Sequence, residues 1–184
     1  ALYPQEAEEK LERVVMIGVP LHGAAGAALA FSDEHHPYLL IAHLNKDNRL
    51  VPFSQTIPSV YQLLPAPEEL FSGGCDYPCD WDLYDAAAWP VPGMRQDYLD
   101  RARELHELLA ASDPQVPMVN FAGCHKATVT AVQRGAGDTE FRPVYVEHGK
   151  GSGDEQVPLW STRAQNITTH FIEESHVALV SNDQ

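Results

Sequence analysis

The sequence predicts an α/β domain built from parallel sheet strands, a β-hairpin and an inserted helical cap. Val14-Val15-Met16-Ile17-Gly18-Val19 is a continuous apolar, β-branched run stopped by Pro20. That pattern fits a strand covered on both faces, as in parallel sheets. Residues 95–111 carry apolar side chains at helical spacing: Tyr98, Ala102, Leu105 and Leu109, with Leu99 and Leu108 widening the stripe. Two more segments follow that helix: the apolar run 117–123 reads as a second buried strand, and residues 167–172 as a third strand.

Taken in order, residues 4–12 are polar and acidic and fit a helix end or surface loop. After the first strand, Gly23, Ala24, Ala25 and Gly26 allow close approach of another segment. From about residue 31 to residue 92, prolines, aromatics and short apolar pieces alternate without strand regularity. This stretch is the expected cap, a set of short helices and loops. Pro114 ends the long helix. Residues 127–133 alternate as a strand, residues 134–138 form a turn, and residues 141–147 return as a hairpin partner. A glycine-rich loop at 149–153 leads into Asp154. Leu159 begins a helical or irregular stretch, and residues 177–180 open a last helix.

Composition narrows the function classes. The 184 residues are enough for one domain with a real core, and 44% are apolar, which argues against disorder. Acidic residues outnumber basic ones 26 to 12, so phosphate backbones are repelled and nucleic acid is excluded as a partner. No apolar run approaches the ~20 residues that cross a bilayer. The same charge disfavours anionic membrane surfaces. The first residues, Ala1-Leu2-Tyr3-Pro4, lack an initiator Met and a basic-then-apolar signal pattern. The expectation is a soluble chain, processed, trimmed or cut from something longer, with its compartment open.

The most informative constellation is Gly151-Ser152-Gly153-Asp154-Glu155-Gln156-Val157-Pro158, followed by Glu173-Glu174-Ser175-His176. An acid on a glycine-rich loop and a histidine just past a later strand suit the two supporting members of a catalytic triad. The histidine takes a proton from a nucleophile; the carboxylate holds its ring and offsets the imidazolium charge. In open α/β sheets such groups project from the carboxyl ends of strands. Spacing alone favours a plainer reading, with Asp154 as a helix cap and His176 as an exposed terminal histidine.

Several segments resemble one family. Leu11-Glu12-Arg13-Val14-Val15-Met16-Ile17-Gly18-Val19-Pro20-Leu21-His22-Gly23 is similar to the strand and TPHHG-type turn of lecithin:cholesterol acyltransferase-like α/β-hydrolases. Pro58-Ser59-Val60-Tyr61-Gln62-Leu63-Leu64-Pro65 and Asp82-Leu83-Tyr84-Asp85, with Trp89 soon after, resemble their cap. Gly153-Asp154-Glu155-Gln156-Val157-Pro158 with Ser161 resembles their GDGTVP acid loop, and Ser175-His176-Val177-Ala178-Leu179 their histidine segment. The five segments stand in family order and cover most of the chain. The resemblance implies the C-terminal part of an α/β-hydrolase fold, spanning residues 1–184 with a cap at about 31–92. It implies an esterase, lipase or acyltransferase acting through an acyl-enzyme, with Asp154 and His176 as catalytic acid and base. Its substrate would be an ester or lipid-like small molecule, and it needs no metal or organic cofactor.

The family's Gly-x-Ser-x-Gly elbow precedes the Val14 strand and is missing here. Ser32, Ser54, Ser59, Ser72, Ser112, Ser161, Ser175 and Ser181 all lie outside that pattern, and Ser152, though flanked by glycines, belongs to the loop before the acid. The nucleophile is therefore expected outside this chain, on a missing N-terminal half or a companion chain; the chain alone is expected to be inactive. Without that half, the Val14 strand becomes an exposed apolar edge that seeks a partner. A truncated, non-catalytic binding or assembly module is the alternative, and an amidase or peptidase on the same fold is another.

Remaining candidates keep two readings each. His22 sits in the turn after the first strand and shapes the floor of an active site, or only the turn. Tyr61, Trp81 and Trp89, with Phe71, form the apolar wall of an acyl pocket or simply pack the cap. Cys75 and Cys79 close a small disulfide loop, supply two metal ligands, or stay free thiols. Cys124-His125 offers a thiol beside an imidazole, but neighbours on an extended chain point apart. Asp33-Glu34-His35-His36 binds a metal or stays solvated, and Asn166-Ile167-Thr168 matches a glycosylation acceptor.

Overall fold

A computed structural model describes residues 4–32, 49–72, 74–113, 115–135, 141–146, 152–163 and 167–181. The 33–36 cluster, the hairpin turn beyond Gly135, the glycine loop as far as Gly151, and Asn166 lie outside the described residues. The architecture mixes helix and strand around a parallel three-stranded sheet. Helix α1 (Pro4–Lys10) leads into β1 (Val14–Ile17). Strands β2 (Met118–Gly123) and β5 (Thr168–Ile172) complete the sheet in the order β1-β2-β5, all parallel. Strands β3 (Thr128–Arg134) and β4 (Phe141–Val146) form a separate antiparallel hairpin, with a register break between Val129 and Ala131.

The first strand departs from expectation. Its apolar run reads as covered on both faces, yet Val15 is 54% and Ile17 42% exposed. These two align with Val119 and Phe121 on the same face of the sheet, and that face stays open among the described residues. Among the described residues β1 pairs only with β2, so its other edge is open there too. Gly18, with φ +62°, then turns the chain out of the strand.

Between β1 and the long helix lies the expected collection of short pieces: helices α2 (Leu50–Ser54) and α3 (Pro58–Gln62), and 3-10 turns at Ala25–Phe31, Glu68–Leu70 and Ala86–Ala88. Gly23, with φ +77°, fits against Leu64 so closely that a Cβ would sit 2.0 Å from the Leu64 carbonyl oxygen. Backbone bonds from Ala24 to Leu63 and from Ala66 to His22 fasten that contact. The core is centred here rather than under the sheet. Phe31 touches Tyr61 and Trp89, while Trp81 packs on Trp89 and Phe141, with ring centroids 5.0–5.7 Å apart in edge or tilted geometries.

Helix α4 (Gln96–Ala110) follows. Its buried face is Leu99, Ala102 and His106, so the stripe is rotated from the one through Leu105 and Leu109. Leu108 and Leu109 face outward. The cause is the partner: α4 packs on α3 and the 3-10 turn at Glu68–Leu70. There His106 Nε2–H donates to the Leu64 carbonyl at 3.0 Å, a polar anchor that an apolar count overlooks. Among the described residues, no helix is long and apolar enough to cross a membrane.

Candidate functional site

The site is assembled where the three parallel strands end. Gly18 follows β1, Gly123 closes β2, and the chain after β5 passes through Glu174 to His176. These carboxyl ends are where an open α/β sheet collects ligand and catalytic groups. His176 Nδ1 lies 2.8 Å from Asp154 Oδ2. A carboxylate only accepts, so Nδ1 carries a proton, and in the neutral ring the lone pair is on Nε2. Asp154 is buried to 1% side-chain exposure, whereas the His176 ring is 37% exposed. One end of the ring is locked in the protein, and the other is open to a reactant.

Local backbone geometry fixes the acid. Asp154 Oδ1 accepts the N–H groups of Val157 at 2.7 Å and Gln156 at 3.1 Å. Glu155 adopts φ +85°, a left-handed value that a non-glycine residue rarely takes, and this turns both donors toward the carboxylate. Thr128, fully buried at the start of β3, holds that turn. Its hydroxyl oxygen accepts the Glu155 N–H at 3.0 Å while its proton goes to the Lys126 carbonyl at 2.8 Å. Lys126 and Gly153 form an antiparallel bridge, so the acid loop is stitched to the β2–β3 connection. A Cβ on Gly153 would lie 2.0 Å from the Val157 carbonyl oxygen, and only glycine fits.

The base is fixed from below. The His176 ring lies over Gly18, where a Cβ would come within 2.9 Å of Cε1. Leu179, buried in the 3-10 turn Ala178–Val180, fills the space between Gly18 and Gly123. A Cβ on Gly123 would meet Asp154 Cβ at 2.5 Å and the Glu174 carbonyl oxygen at 2.6 Å. The His176 amide also donates to the Asp154 carbonyl at 2.7 Å. Sequence reasoning reached Asp154 and His176 but missed Gly18, Gly123, Thr128 and Glu155. The strand-ending positions of the two glycines were a usable signal; nothing in the sequence marks Thr128.

The other candidates lie elsewhere. His22 Nε2 is 2.8 Å from the Arg163 carbonyl and 3.4 Å from Ser72 Oγ, and its backbone N–H reaches Ser161. Its contacts tie the turn after β1 to the segment that follows the acid loop. Tyr61 is fully buried; its hydroxyl donates to the Gln55 carbonyl and accepts the Arg95 N–H. Trp81 and Trp89 pack against each other. The described ring contacts of these three are with core neighbours and not with the Asp154–His176 pair. Cys75 and Cys79 are both free thiols, the first exposed and the second buried. Burial pushes the Cys79 thiol up to about 12, so it is protonated at neutral pH. Cys124 points its thiol at the Ile172 carbonyl, 3.4 Å away, and His125 lies 4.0 Å from Glu173, so each member of that pair has its own neighbour. Comparison of the sequence with protein-family profiles and with curated proteins finds no match, and the geometry alone carries the argument.

Proposed function

We propose that this chain is the acid/base half of a serine hydrolase or acyltransferase acting on esters through an acyl-enzyme. In this reading the fold is the C-terminal part of an α/β-hydrolase of the lecithin:cholesterol acyltransferase-like group. The nucleophilic serine then stands on a separate segment or companion chain. The observation that carries the reading is the 2.8 Å contact between a fully buried carboxylate and the inner nitrogen of a half-open imidazole at the strand ends.

The chemistry follows from that contact. With Nδ1–H given to Asp154, His176 Nε2 removes the serine proton as Oγ attacks the ester carbonyl. The resulting imidazolium is offset by the Asp154 carboxylate, which the Gln156 and Val157 N–H groups hold in place. The same proton then goes to the leaving alcohol, and an acyl-serine remains. Water or a second alcohol releases the acyl group by the same steps in reverse. The open edge and open face of β1 supply the surface on which the serine-bearing part docks.

Fluorophosphonate labelling of the complete protein tests this. The label is expected on a serine outside this chain, and His176→Ala is expected to slow labelling by about 10³-fold or more. Labelling at the same rate in His176→Ala and Asp154→Asn overturns the assignment.

A further inference from the structure

Acid and base hang from different parts of the fold. His176 follows β5 of the parallel sheet, whereas the Asp154 loop rests on the β3–β4 hairpin. The hairpin in turn is fixed by the aromatic core. Phe141 packs on Trp81 and Trp89, and the Val132 N–H donates to the Pro78 carbonyl at 2.8 Å. Whatever seats the acid loop on β3 therefore sets where the acid stands relative to the base.

The loop is closed on itself. The Leu159 N–H donates to the Ser152 carbonyl at 3.0 Å, and Gly153 bridges Pro158, so residues 152–160 form one piece. Two side-chain hydrogen bonds join that piece to β3. At its tip, the Thr128 hydroxyl oxygen accepts the Glu155 N–H at 3.0 Å. At its base, Trp160, in the 3-10 turn Leu159–Thr162, donates its indole N–H to the Thr130 carbonyl at 3.0 Å. Thr130 is the extra residue at the register break, because Val129 aligns with Tyr145 and Ala131 with Val144. A bulged residue is left out of the ladder, which frees its carbonyl for such a donor.

Packing alone would ask only for the Trp160 ring, which meets Phe71 at a centroid distance of 5.1 Å. Packing is non-directional, and a loop held by it alone can slide along a strand. Hydrogen bonds at tip and base are directional and fix both height and tilt. We propose that Thr128 and Trp160 are positioning residues for the Asp154–His176 pair. They hold the acid loop on the hairpin at the height and tilt that bring Asp154 Oδ2 to His176 Nδ1. The proposal rests on the acid/base reading of that pair.

Thr128→Val, Thr128→Ser and Trp160→Phe test it in the complete protein, without denaturant and with the parent fold checked by circular dichroism. Trp160→Phe keeps a ring against Phe71 and removes only the donor. Misplacement by about 1 Å costs up to ~10²-fold in rate. Thr128→Val and Trp160→Phe are each expected to lower the fluorophosphonate labelling rate at saturating probe about 10-fold or more, at an unchanged half-saturating concentration. Thr128→Ser is expected to label at the parent rate. The far-downfield His176 Nδ1 proton resonance reads the pair without any serine, and it should shift upfield or broaden in both slow variants. An unmoved resonance strikes out the residue concerned, and unmoved in both it overturns the proposal whatever the labelling rates. Labelling at the parent rate in both, while His176→Ala labels slowly, overturns it too. If His176→Ala also labels at the parent rate, the acid/base reading fails, and the resonance alone decides the positioning.

Discussion

Replacing Gly123 by alanine isolates the contact that sets the acid beside the base. Gly123 has no left-handed φ, so alanine meets no backbone penalty there, and stiffening the unfolded chain alone favours it by about 0.4–1 kcal/mol. Sterics oppose this. The new methyl would stand 2.5 Å from Asp154 Cβ and 2.6 Å from the Glu174 carbonyl oxygen. Both must retreat by about 1 Å to reach ordinary contact. Overpacking of that kind costs about 1–3 kcal/mol. Both displaced atoms belong to segments that define the pair, so the 2.8 Å bond between His176 and Asp154 stretches and loses part of its ~1.5–3 kcal/mol. The net expectation is a loss of about 2 kcal/mol, a fall of ~1 M in the urea midpoint for a slope of ~2 kcal/mol/M. The far-downfield proton resonance of His176 Nδ1 should disappear with it. Gly26→Ala is the control, because a Cβ there meets only Val129 Cβ at 4.0 Å and the φ is ordinary; its midpoint should not fall. A Gly123→Ala midpoint within ~0.2 M of the parent, with the Nδ1 proton unmoved, refutes the packing argument.

Three further outcomes follow from other parts of the structure. Thr128→Val leaves the Glu155 N–H without its acceptor in a left-handed turn, costing about 1–3 kcal/mol in urea unfolding and accelerating amide exchange at Glu155, while Thr128→Ser restores both. Burial, opposed by the Leu64 hydrogen bond, holds His106 below the usual histidine range. The unfolded chain therefore takes up a proton near pH ~6.5 that the folded chain refuses. Stability is complete above that pH and declines as pH falls below it; His106→Gln, measured by urea midpoints from pH 7.5 to 5, should flatten the decline. In the complete protein, Asp154→Asn should reduce ester turnover about 10⁴-fold, with a thermal midpoint within a few degrees of the parent; unchanged hydrolysis removes the acid/base assignment.

What could be read from the sequence was whatever one element reveals by itself. The Val14 run, the 117–123 run, the hairpin strands and the long helix each carry a local pattern, and all are present. Asp154 and His176 could be singled out because an acid on a glycine loop and a histidine past a strand are chemically suggestive. Features that depend on a neighbour were hidden. The buried face of α4 includes His106 because the Leu64 carbonyl waits opposite it, and hydrophobic counting gives a histidine no weight there. The open face of β1 was hidden for a similar reason: an apolar run reports what a residue is and not whether a layer covers it. Thr128 looks like any β-branched strand residue until the acid loop is seen resting on its hydroxyl.

His176 is tied to Asp154 twice, by its ring and by its own amide. Two bonds between the same two residues, one through side chains and one through backbone, make them a single mechanical unit. Thermal motion of the surrounding loops then carries acid and base together, preserving their mutual alignment while changing where Nε2 points in space. Under the proposed function, turnover would then depend on how the serine-bearing part seats against this unit, alignment within the unit being set by the chain itself. The His176 amide and the Nδ1 proton should accordingly show similar protection once each observed exchange rate is divided by its own intrinsic rate, as two readings of one opening event.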